Sequence, residues 1–84
     1  MDFRDEERRK KESEYKNRLG RKLKELRLSK DMSQLDLALE ADLARTQISR
    51  IENGQASPTV LSFLNIVNAL NLSKDQVLEL MDLA

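Results

Sequence analysis

The apolar positions of this chain fall into five short runs with helical spacing, separated by polar breaks. Tyr15, Leu19, Leu23 and Leu26 recur at i, i+4, i+8 and i+11, which predicts a first helix running to about Ser29. Lys30-Asp31 forms the connection. Ser33, with Asp36 three residues on, has the form of a capping box that opens a second helix, whose Leu37, Ala38 and Ala41 make a narrow apolar stripe. The small side chain of Ala38 lets a crossing helix approach closely. After Leu43 in a turn, Ile48 and Ile51 are the inward positions of a third helix, and Asn53-Gly54 stops it, the glycine supplying positive φ.

Residues 55–59 (Gln-Ala-Ser-Pro-Thr) are a loop, with Ser57 or Thr59 as the cap of a fourth helix. That helix holds Val60, Leu61, Phe63, Leu64, Ile66, Val67, Ala69 and Leu70, more than one face, and so must be covered on two sides. Ser73 with Gln76 opens a fifth helix carrying Val77, Leu78, Leu80, Met81 and Leu83. No strand pattern, repeat or Pro/Gly-rich linker is present, so the expected fold is all-α with five helices. The surplus apolar surface of helices four and five predicts a homodimer, with Leu64, Val67, Leu72, Val77, Leu80 and Met81 at its interface.

Residues 1–12 are a dense mixed-charge run. Glu6 with Lys10 and Glu7 with Lys11 have the favourable i, i+4 order, so this N-terminal extension reads as either a helical continuation or a mobile arm before a domain over 13–84. Charge also divides along the chain. Residues 1–30 hold twelve Lys or Arg and seven Asp or Glu, a balance of +5, and residues 31–84 carry −5. A net charge of zero therefore conceals a field that can concentrate on one face. Histidine and cysteine are both absent. This removes disulfides, the usual metal ligands and the commonest general base, so neither an enzyme, a metal site nor a cofactor is expected. No apolar run reaches membrane-spanning length, and the expected compartment is the cytoplasm.

The segment Ser33 to Gly54 decides the reading. Two short helices joined by a tight turn, the second bearing Arg45, Thr46, Gln47, Ser49 and Arg50 outward, describe a helix-turn-helix. Its second helix enters the DNA major groove. Ser33-Gln34, Ala38 at the fifth motif position and the run Ile48-Ser-Arg-Ile-Glu-Asn-Gly54 resemble the phage-repressor (Cro/cI-type, XRE) helix-turn-helix family over about residues 17–72, with its lambda-repressor-like fold. Two positions depart from the family pattern. Asp42 stands where glycine is usual, a substitution that Asp tolerates because it visits the left-handed region readily. Ala44 stands where a Ser or Thr would cap the recognition helix, at a cost of about 1 kcal/mol.

The resemblance implies a sequence-specific regulator, acting as a repressor on double-stranded DNA as a homodimer at an inverted repeat. Arg45, Thr46, Ser49 and Arg50 would then read bases. Gln34, Gln47, Asn53, Gly54, Arg27 and Lys22 would contact phosphates, and Arg27 with Glu52 would form a structural ion pair. The loop after the third helix lacks Lys and Arg, so minor-groove reading from it is not expected. Two alternatives keep the same fold: an antitoxin-type module that neutralises a toxin protein, and a restriction-modification controller.

Overall fold

The computed structural model describes residues 3–82. Leu83, assigned above to the fifth helix, and the ends of both expected segments lie outside the described residues. The order is α1 (Phe3–Ser29), α2 (Gln34–Ala41), α3 (Arg45–Glu52), α4 (Val60–Ala69) and α5 (Lys74–Met81), and no strand occurs among the described residues. Residues 3–12 continue α1 without a break, so this helix spans 27 residues.

Helix ends follow from specific side chains. The Ser33 hydroxyl accepts from the Asp36 N–H at 3.0 Å and the Asp36 carboxylate accepts from the Ser33 N–H at 2.9 Å. The bond from the Ser33 backbone N–H, together with the adjacent Ser33 side chain, holds the Asp36 carboxyl below its usual range. Ser73 and Gln76 repeat the arrangement at α5, while Thr59 rather than Ser57 caps α4. Four chain reversals adopt positive φ: Asp31, Asp42, Asn71 and Gly54. Three of the four are Asp or Asn, whose short polar side chains tolerate the left-handed region best among non-glycine residues.

The centre of the core is Leu23 of α1, Leu37 of α2, Ile48 of α3, Ile66 of α4 and Leu70 at the end of α4, all fully buried. Contacts of α2 with α3 and α4, and of α1 with α3, hold the assembly together. Gly20 makes the α1–α3 crossing close: a Cβ there would collide with the carbonyl oxygens of Ile51 and Glu52. Helix α4 buries only Ile66 within its span, leaving Val60, Leu61 and Leu64 exposed, and α5 leaves Leu78 and Met81 exposed. One expected interface residue is corrected here. Leu80 is 5% exposed and belongs to the chain's own core. Helical periodicity alone could not tell which of two apolar sides of α5 faces inward. Val67, Leu72 and Val77 are half-buried.

Candidate nucleic-acid interface

Helix α3 turns Ile48 and Ile51 inward and leaves Arg45, Thr46, Gln47 and Arg50 exposed, with Ser49 half-buried. Thr46, Arg50 and Asn53 stand at i, i+4 and i+7, so they share one outward face. Ala44 supplies no side-chain cap, but the Gln47 side-chain oxygen accepts from the Ala44 N–H at 2.9 Å. Gln47 thus replaces part of the lost cap while the residue remains exposed.

What holds this helix at its angle is a buried polar cluster. Arg27 Nε donates to Glu52 at 2.6 Å and Nη2 donates to the other carboxylate oxygen at 2.9 Å. This two-pronged bond raises the Arg27 pKa above its ordinary value, against the opposing effect of burial. Nη1 donates to the Met32 carbonyl at 2.7 Å, and Gln34 Nε2 donates to Glu52 at 3.1 Å. One carboxylate therefore ties the end of α3 to α1 and to the start of α2. Both ion-pair side chains are nearly inaccessible, at 6% and 2% exposure. No buried side-chain polar atom among the described residues lacks a partner.

This geometry revises three of the expected phosphate contacts. Arg27 is 5% exposed and each of its three guanidinium nitrogens donates within the protein, so it has no surface to offer a phosphate. The Gly54 N–H donates to the Ile51 carbonyl at 3.1 Å and closes the helix end. Lys22 lies 3.9 Å from both Glu25 and Glu79, turned toward α5; its helical position is roughly opposite that of Gly20 and Arg27, which face α3. Gln34 is half-buried and braces Glu52, while Asn53 is exposed. The residue missed in the sequence was Gly20. Its signal was available: an isolated glycine inside a helical pattern marks a close approach of another backbone.

The surface charge agrees with this division. Glu52 is the single acid within α3 and is neutralised by Arg27, so Arg45 and Arg50 dominate the exposed face. Among the described residues no cluster of His, Cys, Asp or Glu could hold a metal ion, and no helix is long and apolar enough to cross a membrane.

The fold and this face define a helix-turn-helix domain. The helix-turn-helix family model matches residues 23–77, and the chain belongs to the XRE-type helix-turn-helix family of DNA-binding transcription regulators. Its relatives are restriction-modification control proteins. It is 41% identical over 61 residues to the control protein C.BamHI of Bacillus amyloliquefaciens, covering 71% of this chain and 75% of that protein. It is 36% identical over 66 residues to C.MunI of Mycoplasma sp, covering 77% and 89%. Among solved structures, it resembles the controller protein C.Esp1396I, seen as a tetramer in complex with its natural 35 base-pair operator. The TM-score is 0.72 at 31% identity, covering 82% of this chain and 92% of that one.

Proposed function

We propose that this chain is the controller-type transcription regulator of a restriction-modification system, acting in the cytoplasm as a homodimer on an inverted-repeat operator. It works by binding alone and needs no cofactor. The observation that carries this reading is the exposed Arg45–Thr46–Arg50 face of a helix fixed by the Arg27–Glu52–Gln34 cluster. The relatives named as control proteins favour this role over a toxin-neutralising one.

In this reading Arg45, Thr46, Ser49 and Arg50 read base edges in the major groove. The forked Arg guanidinium meets guanine O6 and N7 together. Asn53 and the free amide of Gln47 contact phosphates, which supply affinity without discrimination. Gln34 acts chiefly by positioning Glu52. The dimer surface is the exposed apolar set Val60, Leu61, Leu64, Leu78 and Met81, with Val67, Leu72 and Val77 at its edge. Two-fold symmetry through it sets the two recognition helices about one DNA turn apart.

Arg50→Ala is expected to weaken binding to the preferred operator by about 1–3 kcal/mol while leaving affinity for random duplex nearly unchanged. Asn53→Ala should weaken both by similar amounts. Titrations of each variant on the two duplexes decide the point, and equal losses for Arg50→Ala would place that residue among the phosphate contacts.

A further inference from the structure

Two surfaces outside the helix-turn-helix match each other. On α1, Arg4, Arg8, Lys11 and Tyr15 repeat at i, i+4, i+7 and i+11 and so line one side of the helix. With Glu7 and Glu12 they border a shallow groove on a segment that its own domain leaves uncovered, with Tyr15 39% exposed. On α5, Asp75, Glu79 and Asp82 repeat at i, i+4 and i+7, and with exposed Leu78 and Met81 they line a second groove. The first ladder is basic with an aromatic ring; the second is acidic with an apolar floor. Both have the same spacing over about two turns.

The two ladders cannot meet within one chain. Lys22 continues the α1 stripe and is the residue that reaches Glu79 of α5. Arg4 lies eighteen residues earlier, about 27 Å along the helix, and Lys11 about 16 Å, whereas α5 itself is only about 12 Å long. We infer that the projecting N-terminal part of α1 packs on the acidic face of α5 in a second copy of this chain, repeating between subunits the Lys22–Glu79 approach seen within one. The contact borders the exposed apolar residues of α4 and α5. It extends the self-association put forward above and rests on that reading. The charge complementarity of the two ladders, matched in spacing, selects a second copy as the occupant.

Charge reversal of the full chain tests this by sedimentation equilibrium at low salt, with circular dichroism confirming that each variant is folded. R4E/R8E/K11E should weaken self-association about tenfold, as expected for a few exposed ion pairs acting together. D75K/E79K/D82K should do the same, and the six changes combined should restore association. About 0.5 M salt should erase the differences. Unchanged association in the first variant, with an unaltered chain that does associate, overturns the arm contact and leaves the dimer standing. An unaltered chain that stays monomeric overturns both. A first variant that changes only the affinity for DNA assigns the stripe to the nucleic acid and overturns the inference.

Discussion

Glu52→Ala is expected to destabilise the fold by about 3–5 kcal/mol, the cost of leaving one member of a buried pair without its partner. Arg27 would keep its charge in a site where it is 5% exposed and would retain only the Met32 carbonyl as an acceptor. Gln34 would lose its acceptor as well. Because total stability of a small domain is about 5–15 kcal/mol, the variant should approach the edge of folding at moderate temperature. Replacing both partners together, as Arg27→Met with Glu52→Leu, should recover much of the loss, since no uncompensated charge then remains. Urea unfolding of the two variants measures both effects. A loss below about 1 kcal/mol for Glu52→Ala would mean that the pair behaves as an exposed one.

Gly20→Ala should also destabilise, by about 1–3 kcal/mol, as overpacking of a tight contact does. Helix propensity by itself argues the other way, favouring alanine by about 1 kcal/mol. The sign of the measured change therefore separates local preference from tertiary contact. The added methyl would strike the Ile51 carbonyl and lie 2.7 Å from that of Glu52, both backbone atoms that cannot swing aside. Relief requires α1 to move off the end of α3, so operator affinity should fall with stability. Thermal melts and operator titrations check the two effects, and a stabilised variant would show that the crossing has slack.

Much of this architecture was legible in the residues. The capping pairs Ser33–Asp36 and Ser73–Gln76 are local devices, and they act as their spacing predicts. Asp42 takes the left-handed turn position that the departure from glycine required. Positions decided by long-range packing were harder to read. Leu80 and Met81 are neighbours on α5, yet one is in the core and the other is 68% exposed, because the placement of α5 on the rest of the domain determines the inward side. Lys22 reads as one more basic residue on a charged helix until Glu79, fifty-seven residues away, is placed beside it. Gln34 has the composition of a phosphate contact at a helix start, but the nearby Glu52 carboxylate draws its amide inward. Gly20 acts through a residue pair on another helix, a partner that no window along the sequence contains.

Selection of bound duplexes from a random pool tests the central claim most directly, because it reads specificity, symmetry and spacing in one measurement. A dimer presenting Arg45, Thr46 and Arg50 from two recognition helices should enrich an inverted repeat with half-site centres about 10–10.5 base pairs apart, or a multiple of that. Enriched half-sites should contain guanines as partners for the two arginines. A pool that remains random after repeated rounds, with retention falling steeply and uniformly as salt rises, would show that the exposed face of α3 binds only the DNA backbone and would contradict the account.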